Sequence, residues 1–213
     1  GDGTKASAKA LAVAYMLLRG TPFIYQGQEI GMTNFNYTNI SQVDATDTIY
    51  LYNEKLAEGL SEEAALKAAT VNSRDHSRTP MQWEATENAG FTDGKPWLVI
   101  NPNYLERNVA VAQADPDSIL NLYKYLIQLR HEHQDISDGG IKFLCPDHPT
   151  VLAYERGDFL IVTNLSETPT SISFDAPLHD YQDVITQAPV PDQLALSLAG
   201  WDYRIYRKNR KIA

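Results

Sequence analysis

Residues 5–29 read KASAKALAVAYMLLRGTPFIYQGQE, and the fold class turns on how they are parsed. Positions 5–19 are rich in alanine and leucine. Lys5 and Lys9 lie four apart on one side, and apolar residues follow nearly all round, which predicts a largely buried helix closed by Gly20. Pro22 then leads into Phe23, Ile24 and Tyr25, and Gly27 ends the run. The run is too short for a helix and rich in β-forming residues, so a buried strand is expected over 22–27. Helix followed by buried strand is the αβ half of a βαβ unit, which assigns this region to the α/β class.

Upstream, Gly1-Asp2-Gly3 contains no initiator methionine and runs straight into the helix, so the start reads as a cut through a longer protein. Downstream, a polar loop is followed by a helical stretch from about Asp47 to Leu56, closed by Gly59. Ser61 is placed to cap a second helix whose glutamates, Glu62 and Glu63, occupy the first turn where the helix dipole favours them. Residues 84–114 read as loop, punctuated by Gly90, Gly94, Pro96 and Pro102, and so long an aperiodic stretch is usually functional or wraps another element. Asp115 as N-cap and Pro116 at the first helical position then announce a strong helix, with Ile119, Leu122, Tyr123, Leu126 and Leu129 along one face. Arg130, His131 and His133 fall at its end, where positive charge is favoured, so the histidines suggest a helix terminus and no metal site. From Gly139 the texture changes to short strands separated by turn signals, IKFLC, VLAYER, FLIVTNL and SISF, with Gly157-Asp158 as a two-residue hairpin. The last run alternates Trp201, Tyr203 and Ile205, expected buried, against Asp202, Arg204 and Tyr206. A domain boundary is expected near residue 136, with 137–213 forming a small antiparallel β-domain.

Composition narrows the function. The chain has 213 residues, 43% of them hydrophobic, enough for one core or for one core and a smaller second one. Its 27 acidic against 18 basic residues give a net charge of −9, which repels a phosphate backbone, so nucleic acid is not an expected partner. The longest apolar run, ALAVAYMLL at 10–18, is too short to cross a bilayer, and no membrane partner is expected. The one cysteine, Cys145, cannot form an intramolecular disulfide, which fits a cytoplasmic location.

Hydrolysis of a glycosidic bond needs two carboxylates facing one another. Glu29, Asp44, Asp47, Asp75 and Glu84 lie near strand ends or loops, but no two stand at a recognisable spacing. Glu29 follows the expected strand, where an α/β barrel builds its active site, yet it equally suits a structural acceptor for backbone N–H groups. The stretch NSRDHSRTPMQW at 72–83 crowds Arg74, Asp75, His76 and Arg78 beside Pro80 and Trp83. Arginine presents a rigid fork of donors suited to carboxylates or adjacent sugar hydroxyls, so the loop reads either as a surface ion-pair loop or as part of a site.

Several motifs in register carry a resemblance. GTPFIYQGQE at 20–29 followed by IGMTN, SRDHSRTPMQW, NAGF at 88–91, GKPW at 94–97, NPNY at 101–104 and the DPDS helix start resemble the α-amylase superfamily, in particular its oligo-1,6-glucosidase and dextran glucosidase subgroup. The resemblance covers essentially the whole chain. It implies the C-terminal end of a (β/α)8 barrel, with 5–19 as the seventh helix, 22–27 as the eighth strand and 116–133 as the eighth helix, followed by the antiparallel β-domain. In such enzymes the three catalytic carboxylates follow earlier strands, so none is expected in this chain and all would precede Gly1. The resemblance further implies that Arg74 contacts hydroxyls of the terminal non-reducing glucose and pairs with an acidic residue upstream of this chain, while Asp75 and Arg78 hold the loop's shape. Glu29, from its place after the expected strand, and Trp83 are the other candidates for the pocket rim or loop support. Trp83 suits sugar stacking, although a buried structural tryptophan is the expected alternative. Phe23 and Gln28 stand where relatives often have Tyr and Glu.

The implied activity is retaining, exo-acting hydrolysis of α-1,6 bonds in isomalto-oligosaccharides or dextran, with no cofactor held by this chain and the missing N-terminal barrel as its structural partner. Trehalose-6-phosphate hydrolase and sucrose isomerase share the loop and are the nearest alternatives. A reading of another class makes the chain a non-catalytic glucan-binding module acting through exposed aromatics such as Tyr181 or Trp201.

Overall fold

The computed structural model describes residues 2–192 and 194–209. Its helices are α1 (Lys5–Met16), α2 (Thr46–Ala57), α3 (Glu62–Thr70), α4 (Val109–Ala114), α5 (Ile119–Glu132) and α6 (Gln134–Asp138). The strands are β1 (Ile141–Leu144), β2 (Val151–Arg156), β3 (Phe159–Asn164), β4 (Thr170–Ser173), β5 (Tyr181–Asp183), β6 (Ala195–Leu198) and β7 (Tyr203–Lys208). They divide into two compact units, one made of the described residues up to Tyr25 with those from Asp117 onward, the other of Gln26–Pro116. No helix among the described residues is long and apolar enough to cross a membrane.

The first unit is built on an antiparallel sheet in the order β1-β2-β3-β7-β5, with β4 and β6 paired as a second, two-stranded sheet. Arg156 faces Phe159 across the Gly157-Asp158 turn, and Gly157 takes a φ of 54°, the left-handed conformation that a two-residue hairpin requires. All six residues of β3 are buried because both faces of the sheet are covered. Tyr154, Phe159, Ile161 and Ile205 pack with Val13, Met16 and Leu17 of the α1 region and with Leu122 and Leu126 of α5. Ala153, Leu160, Val162 and Tyr206 pack with Ile172, Leu196 and Leu198 of the small sheet. Ile136 belongs to the first of these cores, so the boundary expected near residue 136 falls inside a shared apolar interior.

Polar contacts lock this arrangement. Arg130 donates from Nη1 to the carbonyls of Met16 (2.6 Å) and Leu18 (2.8 Å) and from Nη2 to that of Gly20 (2.7 Å). It therefore satisfies the open C-terminal carbonyls of α1, on top of its favourable place in the last turn of α5. Arg156, fully buried, donates to the carbonyls of Ile136 and Gly139. Lys5 and Lys9 both pair with Asp117, and they hold its carboxyl below the usual range, the Lys9 contact first.

The structure corrects several expectations. The segment 22–27 belongs to neither sheet among the described residues, and Phe23 is 86% exposed. A buried strand is held by ladders on both sides, and no strand that might flank this one occurs before Ile141 among the described residues. Helix α5 begins later than expected, capped by Ser118, whose side chain accepts from the Asn121 N–H. Residues 84–114 hold two short 3-10 turns and α4, which Asn108 caps. Tyr181 is buried, with its hydroxyl 3.3 Å from Glu155 Oε1. Tyr206 is also buried, so the expected alternation along the last strand is lost where both faces are covered. Trp201 lies before β7 at a φ of 55° and donates from Nε1 to Asp2.

The second unit is smaller in core and richer in side-chain bonding. Val43, Ala45 and Tyr52 pack with Ala65, Leu66 and Ala69, so α2 and α3 bury their apolar stripes on each other. Ser61 caps α3 as expected, accepting from the Ala64 N–H. The irregular chain is tied by amides and a guanidinium: Asn101 Nδ2 and Asn103 Nδ2 donate to Thr33, and Arg107 Nη1 donates to the Gly31 carbonyl at 2.8 Å.

Candidate functional site

The stretch 72–83 folds as a single short 3-10 turn, Arg74–Ser77, started by Ser73, whose hydroxyl accepts from the Asp75 N–H at 3.3 Å. Its organising group is Asp75. The residue is fully buried, and its Oδ2 accepts from the backbone N–H groups of Asp44 (2.7 Å) and Ala45 (2.9 Å), at the entrance to α2. A carboxylate at that place satisfies donors that the helix itself cannot, and it meets the positive end of the helix dipole. Arg78 Nη1 lies 3.7 Å from the other oxygen, Oδ1. Thr48 Oγ1, in the first turn of α2, donates to Ser73 Oγ at 3.0 Å.

His76 fixes the far side of the turn. Its Nε2 is 2.7 Å from the Thr70 carbonyl, and its Nδ1 accepts from the Phe35 N–H at 3.2 Å. Those two partners assign the neutral ring with its proton on Nε2. Tyr37 packs beside it with ring centroids 5.3 Å apart. Its hydroxyl is buried without a hydrogen-bond partner among the described residues, and burial first and the Asp75 charge second push its pKa up to about 12.

That hydroxyl makes a pH prediction. It ionises near 10.0 in the unfolded chain and only near 12 in the folded one, so its contribution is intact below pH 10 and lost as pH rises through 12. Tyr37→Phe is expected to be neutral, or stabilising by up to about 2 kcal/mol, at neutral pH, because it removes an unpaired buried hydroxyl. It should also flatten the alkaline fall in stability. Thermal melts of the two proteins on either side of pH 10 check this, and curves that stay parallel would contradict it.

The turn brings Arg74, Asp75 and Arg78 together with Asp44 and Asp47. Arg74 projects outward, with 69% of its side chain exposed, and its Nε is 3.2 Å from Asp47 Oδ2. Glu29 and Trp83 are not joined to the turn by any hydrogen bond or ion pair among the described residues. Glu29 stands in a short turn entered through Gly27, and its Oε2 is buried without a hydrogen-bond partner, so that oxygen is not the backbone acceptor expected. Trp83 is 50% exposed, against the expectation of a buried structural tryptophan. Its backbone is the structural part: its N–H donates to the Ala89 carbonyl, and its own carbonyl accepts from the Ala110 N–H.

Sequence reasoning missed Ser73, Thr48, His76 and Tyr37 as supports of the loop. Only Ser73 left a local signal, a hydroxyl two residues before Asp75 in a turn. Chemically, the arrangement offers one outward guanidinium on a rigid base, suited to hydroxyl or carboxylate recognition. Asp75 is committed to backbone donors. No group of three or more His, Cys, Asp or Glu side chains able to hold a metal ion occurs among the described residues.

Residues 1–139 match the model of the alpha amylase catalytic domain. The chain belongs to the alpha-amylase family. Over 150 residues it is 47% identical to the oligo-1,6-glucosidase of Halalkalibacterium halodurans, an alignment covering 70% of this chain and 27% of that protein. The structure of the trehalulose synthase from Pseudomonas mesoacidophila MX-45 superposes with a TM-score of 0.85 at 36% identity, over 96% of this chain and 38% of that one. A trehalose-6-phosphate hydrolase from Bacillus licheniformis gives 0.86 at 34%, over 97% and 39%. The chain therefore spans about a third of the length of these alpha-amylase family relatives. Its architecture is the expected one, part of a (β/α)8 barrel followed by an antiparallel sheet domain, and the family match ends just before β1.

Proposed function

We propose that the full-length protein is a retaining, exo-acting α-glucosidase that cleaves α-1,6 bonds of isomalto-oligosaccharides or dextran. In this reading Arg74 binds hydroxyls of the terminal glucose, and three carboxylates before Gly1 break the bond through a covalent glucosyl intermediate that water resolves. The observation that carries it is the Arg74 turn: an exposed guanidinium on a backbone locked by the buried Asp75, within a chain 47% identical to an oligo-1,6-glucosidase. Asp75 and Arg78 hold the loop's shape, and the exposed Trp83 is free to stack on a sugar ring at the pocket rim.

The likeness to a trehalose-6-phosphate hydrolase favours a second reading, an α-glucosidase acting on that phosphorylated disaccharide. The net charge of −9 weighs against an anionic substrate. The likeness to trehalulose synthase favours a third, isomerisation of sucrose. The glucan-binding module loses one of its two candidate aromatics, since Tyr181 is buried, while Trp201 stays partly exposed and gives its Nε1–H to Asp2. Rates of glucose release from isomaltose, trehalose 6-phosphate and sucrose by the full-length enzyme separate the readings. Isomaltose is expected to exceed the others in kcat/KM by roughly tenfold or more, the discrimination that contacts to one sugar ring readily supply. Preference for either of the others, or isomerised sucrose as the main product, defeats it.

A further inference from the structure

A cavity of about 410 Å³ in the first unit is lined by all five strands of the larger sheet and by the segment 174–180. Leu144, Leu160, Leu178 and Phe174 give it apolar walls that continue the core on the small-sheet side, the face opposite α1 and α5. None of its lining residues comes from the Arg74 turn. The segment 174–180 is held at two points. The Phe174 N–H donates to the Leu194 carbonyl at 2.7 Å, and the carbonyl of the buried Leu178 accepts from the Tyr181 N–H at 2.9 Å.

The polar lining converges on Glu155 of β2. Lys142, directly opposite on β1, places Nζ 3.9 Å from Oε2, and Lys208 of β7 places Nζ 3.8 Å from Oε1. The buried Tyr181 donates its hydroxyl to Oε1 at 3.3 Å. Lys142 opposite Glu155 is an ordinary cross-strand ion pair. A second lysine and a buried hydroxyl on the same carboxylate, inside a cavity, exceed what such a pair requires. Both ammonium groups stand too far from the carboxylate for a direct hydrogen bond, and a hydroxyl oxygen fits each gap at about 2.8 Å from both sides, accepting from the ammonium and donating to the carboxylate. An anion between the lysines would meet Glu155 itself, and the lining sets two lysines against three carboxylates, Glu155, Asp175 and Asp180.

We propose that this cavity binds one glucose unit of a neutral glucan, Glu155 accepting from two adjacent hydroxyls while Lys142 and Lys208 each donate to one. Its volume lies within the range of small-ligand sites. Holding one unit of a polymer keeps the chain ends concentrated at the enzyme, so the effect belongs to long substrates rather than to disaccharides. The choice of dextran as probe rests on the α-1,6 reading given above.

The test is electrophoresis of the full-length enzyme through native gels containing dextran, with steady-state kinetics beside it. Glu155→Gln is expected to weaken retardation roughly tenfold, the scale of a lost charge-assisted hydrogen bond, and Lys142→Met to weaken it less. In Glu155→Gln the KM for dextran should rise, while isomaltose kinetics and the melting temperature barely move, because the ion pairs it weakens are partly exposed. Arg74→Ala should still be retarded. Retardation by soluble starch in place of dextran keeps the cavity as a glucan site and counts against the α-1,6 reading. The proposal is overturned by any of four results: neither glucan retards the enzyme, Glu155→Gln migrates as the wild type does, Arg74→Ala abolishes the retardation, or inorganic phosphate relieves it. A loss of retardation matched by an early melt in Glu155→Gln overturns it too, in favour of a structural ion pair.

Discussion

Arg74→Ala in the full-length enzyme should lower kcat/KM for isomaltose by roughly a hundredfold, mainly through a higher KM, the loss of about 3 kcal/mol of charge-assisted hydrogen bonding to sugar hydroxyls. Stability should barely move. The side chain is 69% exposed and its partner Asp47 is 56% exposed, so removing the pair costs the fold little. Arg74→Lys keeps the charge but not the planar fork, and its activity should lie between the two. Steady-state kinetics together with a thermal melt distinguish this from damage to the loop. A variant with normal kinetics removes Arg74 from the pocket, and one that melts early and loses activity in proportion indicates a structural role instead.

The opposite profile is expected one residue later. Asp75→Ala deletes a fully buried carboxylate, leaves the Asp44 and Ala45 N–H groups without their acceptor, and takes from Arg78 its neighbouring charge. The cost is about 3 to 5 kcal/mol, since an orphaned buried donor bears its full desolvation penalty. Activity should fall as well, because the same contacts hold the backbone beneath Arg74. Asp75→Asn keeps one acceptor oxygen and should recover part of the stability. Denaturant unfolding of the full-length protein, with limited proteolysis around residues 44–48, checks both effects. An unchanged unfolding midpoint for Asp75→Ala would mean that these bonds contribute nothing net.

Much of this protein was legible in its residues. The alanine-rich run of α1, the apolar face of α5, the Ser61 cap and the Gly157-Asp158 hairpin all follow from groups within a few positions of one another. At the candidate site, the local crowding of charge marked Arg74, Asp75 and Arg78 as unusual, and the motif resemblance singled out Arg74. The separate roles of these residues were not legible, because they depend on partners about thirty positions away at the start of α2.

Local chemistry determined where helices and turns begin and end, since caps, dipoles and side-chain periodicity act over one or two turns of chain. Tertiary structure alone decided which charges are buried and which face outward. It sank Asp75 beneath the loop while leaving Arg74 and Trp83 exposed, and it used Arg130 to close a helix more than a hundred residues away. It also left 22–27 outside both sheets, although composition favoured a strand. The physical reason is common to all of these: burial and hydrogen-bond satisfaction belong to the set of neighbours a residue meets in space, and a strand exists only where another strand supplies its ladder.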